Sequence, residues 1–447
     1  MTTPLTAEPT AMLGPRVAAA RADASPAWLA ARRRIAWDAY EALPMPSSHS
    51  DEDWRRTDIS GLHVERFAPL LSVDTDVLEA MRAQRGSAAP NAALIFDGPA
   101  ESLIEGADTL LAQGIIVTTL EEAATVHPEL VQRALAAVRV DESKFIALWN
   151  ALWRGGAFVY VPQGVEALVP VWIAHAASGS DVAVFPTTAV LLDEGASLTV
   201  IDAYASSEGP AAVLSDAMVV LSAGRDARLD YHTVQDWGAG VWHIAMQRTS
   251  LDANAKLRFT GITLGARLQK AWWEVMLDGI GSEADILGIC FGDGTQHIDH
   301  QSLQAHIGAE TRSNLLLKVA VRDQARSVYG GMIDVAPTAV HADGYVANRN
   351  LLLSQGAKAD SIPRLEIRAN DVKCGHGATA GHIDSDQRFY LMARGVPPDE
   401  ASSLIVRGFM DDVLDRVPHR GFAELAGALL DAEIAGASVA GVAAADA

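Results

Sequence analysis

The sequence predicts a mainly β chain whose centre is a parallel β-helix, a solenoid flanked by helical segments toward its N- and C-terminal ends. Three observations carry this expectation. Helix-forming patterns give way near Lys144 to short β-branched runs bounded by Gly, Pro or Asp. A weak repeat then recurs about every 28 to 31 residues. From Asp399 onward the pattern is helical again.

Residues 1–143 read as mainly helical. Residues 15–40 are strong helix formers in which Trp28, Ile35, Ala36 and Ala39 make one apolar stripe, and the Pro-rich 43–48 segment stops it. An acidic, turn-rich stretch leads into Trp54-Arg55-Arg56-Thr57-Asp58, and weaker helical patterns follow at residues 77–84 and 121–137. Residues 144–396 are expected to be the β-helix core, with strand chemistry at residues 157–162 and 189–192. The repeat aligns Ala196, Ala227, Ala255 and Ala284, each in a turn before a strand. Such units cannot bury their faces alone, so they stack. A β-sandwich also tolerates short strands at this density and stays open as an alternative. Residues 397–434 read as a C-terminal helical segment, opened by Pro397-Pro398 with Asp399 and Glu400 at the positive end of the helix dipole. Residues 435–447 are low in complexity and expected to be disordered.

Composition narrows the function. Against 56 acids there are 35 Lys and Arg, a formal net charge of -21, which argues against a nucleic-acid partner. Two cysteines, Cys290 and Cys374, exclude a disulfide scaffold and a four-thiolate zinc site. With no signal-like start and no strongly apolar run of about 18 residues, no membrane association is expected, and the location is expected to be cytoplasmic. Phosphate-loop, nucleophile-elbow and HExxH motifs are absent from the sequence. The adjacent Gly155 and Gly156 read as a bend, and Cys290, in an apolar run, as a core residue.

The chemistry-bearing stretch is Cys374-Gly375-His376-Gly377. On a strand, residues i and i+2 share a face about 6.6 Å apart, so the thiol and imidazole would lie side by side and could share a soft metal. The glycines, on the other parity, suit the approach of another backbone. Six of the thirteen histidines (His297, His300, His306, His341, His376, His382) fall in the region where successive coils could bring some together. His297-Ile298-Asp299-His300 alone resembles a ligand set, but polar side chains along a strand are the blander reading.

Residues 350–395 resemble the C-terminal signature of the SufB/SufD family of iron-sulfur cluster assembly scaffolds. The matching pieces are Arg349-Asn350-Leu351-Leu352-Leu353-Ser354, Pro363-Arg364-Leu365-Glu366-Ile367, Asp371-Val372-Lys373-Cys374-Gly375-His376-Gly377-Ala378-Thr379 and Phe389-Tyr390-Leu391-Met392-Ala393-Arg394-Gly395. The Trp54 to Asp58 element and the stretches at Lys144-Phe145 and Val161-Pro162-Gln163-Gly164-Val165 resemble further family segments, so the likeness covers roughly residues 30–430. Lacking the N-terminal cysteines usual in SufB, the chain reads as the SufD side of the family.

The resemblance implies a right-handed parallel β-helix core in a non-enzymatic scaffold subunit. It implies a SufB-like paralogue and a SufC-like ABC ATPase as partners, with ATP hydrolysis by the latter and a homodimer where the paralogue is absent. It further implies His376, with Cys374 second, at a transient iron-sulfur cluster shared with SufB and not bound stably. Arg407, Gly408 and Phe409 fall in the segment that would contact SufC. Two other classes remain: a β-helix carbohydrate-active enzyme, and a SufB-like subunit assembling clusters alone.

Overall fold

The computed structural model describes residues 11–97, 103–207 and 209–436. The repeat rests on a turn: Gly195, Asp226, Asn254, Gly281, Glu310, His341 and Asp371 each adopt left-handed backbone, φ 56° to 70°, two residues before a strand. Gly, Asn, Asp and His tolerate this region best, which explains most of the residues chosen. The turns stack through backbone hydrogen bonds, Asp226 N–H to Ala253 O at 2.8 Å, Asn254 to Ile280 at 2.9 Å and Gly281 to Ala309 at 2.9 Å. Adjacent coils come so close that a Cβ on Gly279 would stand 1.9 Å from the Ala253 nitrogen.

The result is a parallel β-solenoid of about eight turns with helices toward both ends. Consecutive core strands alternate between two sheets. One runs from Ala157–Val161 through Thr187–Leu192, Val213–Ala223, Val241–Leu251, Leu268–Leu277, His297–His306 and Arg326–Val335 to Lys358–Ile367. The other runs from Ala93–Asp97 through Val171–Ala177, Ser197–Ser206, Arg228–Asp236, Lys256–Thr263, Glu283–Gly292, Arg312–Val321 and Asp343–Leu352 to Lys373–His382. Inward side chains of both sheets, such as Val190, Leu229, Phe259, Trp273 and Leu317, form one continuous core.

Several features differ from the sequence reading. The strand register puts Ser282, not Ala284, level with Ala255, because strand starts are spaced 31, 28, 27, 29, 31 and 30 residues apart and Ala284 pairs with Leu257. Turn lengths vary while the ladder fixes the strands, so an alanine pattern cannot carry the register. The region from residue 144 opens with the helix Lys144–Leu152, and the continuous core strands begin at Ala157. Ser143 caps it by accepting from Ile146 N–H, and everything from Phe145 to Leu152 is buried. A helix buried all round lacks the amphipathic period that separates it from a short apolar strand. Finally, the first third also contributes strands, of which Ala93–Asp97 and Ile116–Thr119 join the two sheets.

In that first third, helices Pro15–Asp23 and Ala27–Ala42 replace one continuous helix, with Ser25 and Pro26 between them. Ile35 is exposed, and the buried face instead uses Leu29, Ala30, Arg33 and Ala36. Arg33 is tolerated because Ser25 Oγ and the carbonyls of Ala151 and Trp153 take its donors while Trp153 stacks on it.

The Trp54 to Asp58 element is a strap across the outer face of the first sheet. Trp54 and Thr57 are buried. Thr57 Oγ1 donates to Asp299, His297 Nε2 lies 2.9 Å from the same hydroxyl, and Lys270 Nζ meets Asp299 at 2.6 Å and the Asp53 carbonyl at 2.5 Å. Trp54 and Trp272 stand over the Lys270 ammonium at 5.4 and 5.0 Å. The outer face of the second sheet is covered by helices Thr75–Ala88, Pro398–Leu414 and Arg420–Ala435. The expected disordered tail lies, from residue 437, outside the described residues.

Candidate functional site at the open end of the solenoid

The solenoid ends unpaired. Among the described residues no strand adds to the outer edge of Lys358–Ile367 or of Lys373–His382. Exposed edges are templates for pairing, and Pro363, which has no N–H to donate, lies in the first of them. Around this end Tyr345, Leu365, Ile367, Phe389, Tyr390 and Met392 expose large apolar surface, and helix Ser385–Met392 has no buried residue.

Cys374 and His376 sit on the last strand and share its inward face. Their neighbours in register are Gly344 and Val346. Followed through the coils, Cys374 ends the inward column Leu198, Leu229, Leu257, Ala284, Ser313, Gly344, whose bulk shrinks toward the open end. His376 ends the adjacent column Val200, Tyr231, Phe259, Ile286, Leu315, Val346. Cys374 is half-buried against the core, whereas His376 is exposed. Burial pushes the Cys374 thiol above its ordinary pKa, an N–H of Gly344 opposing this and Asp343 adding to it. The thiol is therefore protonated near neutral pH, and a metal must displace that proton.

The glycines do another job than expected. On the outer face Tyr345 of the preceding coil lies over them: a Cβ on Gly375 would stand 3.6 Å from its Cδ2, and one on Gly377 2.9 Å from its Oη. The space opposite the Cys374 and His376 face is thus filled by the chain itself.

Sequence reasoning grouped His306 with five other histidines and gave it no role of its own. Its Nδ1 is 2.8 Å from Thr311 Oγ1 and its Nε2 2.8 Å from Ser313 Oγ. The missing side chain of Gly344 separates it from Cys374: a Cβ there would be 3.0 Å from His306 Nε2 and 3.5 Å from Cys374 Sγ. Only pairing of coils reveals that adjacency. The other histidines scatter. His297 faces the strap, His300 is buried against Thr263 and Gln269, His341 pairs with Asp371 on an exposed turn, and His382 bonds the Leu352 carbonyl. His297 and His300 point to opposite faces, so that run is no ligand set. Among the described residues no three His, Cys, Asp or Glu side chains are grouped to hold a metal. Cys290 is fully buried, and burial raises its thiol pKa.

The C-terminal helices separate Arg407, Gly408 and Phe409 in role. Arg407 binds Asp411 at 3.0 Å, Asp431 at 3.2 Å and the Gly427 carbonyl at 2.8 Å, so it clamps the two helices together. Phe409 is half-buried, with Lys318 Nζ 4.6 Å over its ring and 2.6 Å from its carbonyl. Gly408 is open: a Cβ there meets nothing within 4 Å, and Leu404, one turn earlier, is exposed. No helix among the described residues is long and apolar enough to cross a membrane.

Comparison with known proteins agrees with this architecture. Residues 17–173 match the family profile for the SufBD protein N-terminal region, and residues 175–409 match that for the SUF system FeS cluster assembly SufBD core domain. The chain is 28% identical over 409 residues to the iron-sulfur cluster assembly protein SufD of Bacillus subtilis, covering 89% of this chain and 92% of that one. It is 28% identical over 338 residues to a SufBD family protein of Synechocystis, covering 74% and 70%. A SufBD family protein of Staphylococcus epidermidis is 27% identical over 307 residues, covering 68% and 66%. The solenoid, its helical flanks and these matches along most of the chain place the protein in the SufBD family of iron-sulfur cluster assembly proteins.

Proposed function

We propose that this chain is the SufD-type scaffold subunit of a cytoplasmic SufB-SufC-SufD complex. In this reading it offers His376, with Cys374 second, to a nascent iron-sulfur cluster at the interface with a SufB-like paralogue. The supporting observation is the pair's position: a thiol and an imidazole at the unpaired end of a solenoid, where a partner's strands can extend both sheets. Two soft donors are too few for a stable cluster, so the remaining ligands come from the partner. Neutral imidazole binds iron less tightly than thiolate, which suits a cluster that must leave.

A SufC-like ABC ATPase docks, in the same reading, on the open face of helix Pro398–Leu414 around Leu404 and Gly408, and supplies the ATP hydrolysis. Phe409 and Arg407 support that face from beneath. Reconstitution of the three-subunit complex with His376→Ala tests the site: assembly persists while cluster formation, followed by visible absorption, falls. Normal cluster formation in an intact complex refutes the role.

A further inference from the structure

At the end of the solenoid opposite Cys374 lies a small cavity of about 50 Å³, where the N-terminal layer meets the first coil. Three elements converge on it. Arg21 comes from the last turn of helix Pro15–Asp23, Arg154 from the bend after helix Lys144–Leu152, and His175 from strand Val171–Ala177. Asp97, Leu152 and Phe185 also line it.

The carboxylates here are already engaged. Asp97 meets His175 Nδ1 at 3.0 Å and accepts from Gly156 N–H at 2.8 Å, while the other ring nitrogen of His175 lies 3.1 Å from Asp202. Glu121 accepts from Gly155 N–H at 3.2 Å and stands 3.9 Å from Arg154. Among the described residues the Arg21 guanidinium has no hydrogen bond or ion pair. Burial and the charge of Arg154 both push its pKa below the ordinary value, with Glu121 partly offsetting them. Arginine does not shed its proton in proteins, so the cavity holds two guanidinium charges, of which Arg154 already meets Glu121 while Arg21 has no ion pair of its own.

Size selects the anion. One water needs roughly 10–15 Å³ of such volume, so this cavity holds about three to five waters, the room a compact oxyanion takes. The apolar walls strengthen any charge-assisted hydrogen bond made inside. We propose that the cavity between Arg21 and Arg154 is a binding site for a small tetrahedral oxyanion of the phosphate class. Such an ion ties the first helix to the first coil, and the site is independent of the cluster-binding end.

The test is calorimetric titration of the full chain with inorganic phosphate in a phosphate-free buffer at fixed ionic strength, with melting temperature measured in parallel. Saturable binding is expected, and Arg21→Gln weakens it by at least about tenfold, the size of one charge-assisted contact. In phosphate-free buffer Arg21→Gln keeps its melting temperature or gains, because it removes an unpaired charge. Arg21→Lys keeps the charge but loses the planar fork, so it folds and binds more weakly. Absence of saturable binding, or equal affinity in wild type and both variants, overturns the proposal. So does an Arg21→Gln chain that melts lower while binding phosphate unchanged, which makes Arg21 purely structural.

Discussion

Replacing Lys270 by Met removes the ammonium that holds the strap to the first sheet and leaves Asp299 buried without a cation. Both side chains are almost fully enclosed, 0% and 1% exposed. Asp299 keeps hydrogen bonds from Thr57 and, at 2.6 Å, from Gln301, but neither carries charge. Breaking one partner out of such a pair costs about 3–5 kcal/mol. Urea unfolding followed by tryptophan fluorescence reads this directly, since Trp54 and Trp272 flank the ammonium. The double change Lys270→Met with Asp299→Asn removes the stranded charge and recovers about 1 kcal/mol or more relative to Lys270→Met, within the range of coupled neighbours. A Lys270→Met chain within about 1 kcal/mol of wild type refutes the electrostatic account of the strap.

Two further outcomes are expected. Burial alone would depress His175, but Asp202 and Asp97 raise its pKa to about 9. Its folded pKa lies above the unfolded value of about 6.5, so this stabilisation, about 3 kcal/mol, is complete below pH 6.5 and lost as pH rises to about 9. His175→Gln flattens the fall in urea stability over that window, and an unchanged slope contradicts it. Gly408→Arg enters open space on a helix, so melting temperature holds or rises, the propensity gain being about 0.5–1 kcal/mol. Retention of a SufC-like ATPase in co-purification is lost if that face docks it, and full retention moves the docking site elsewhere.

Much of the architecture was legible because its signals are local. Left-handed turns draw on few residue types, and the helix at Pro398 declares itself by a proline followed by Asp399 and Glu400. The shared face of Cys374 and His376 follows from the two-residue strand period alone. What escaped was set by other coils. Tyr345 over Gly375 and Gly377, and His306 behind Gly344, are contacts between residues about 30 or more positions apart, and no local pattern encodes them. Helix Lys144–Leu152 escaped for the opposite reason, being buried on every side from Phe145 to Leu152. Arg407 reads from sequence as a surface residue of a docking helix, yet the neighbouring helix consumes its donors.

The strap also has a consequence for synthesis. Each coil can close on its neighbour as soon as about 30 further residues emerge, but Thr57 and Asp299 are 242 residues apart in the chain. At translation rates of 5–20 residues per second, Trp54 waits on the order of 12 to 50 seconds for the Lys270 and Asp299 strands to form. Among the first segments made, the strap is thus one of the last to lock, and for most of that interval Trp54 has no Trp272 to pack on, which leaves it a face that a chaperone can shield.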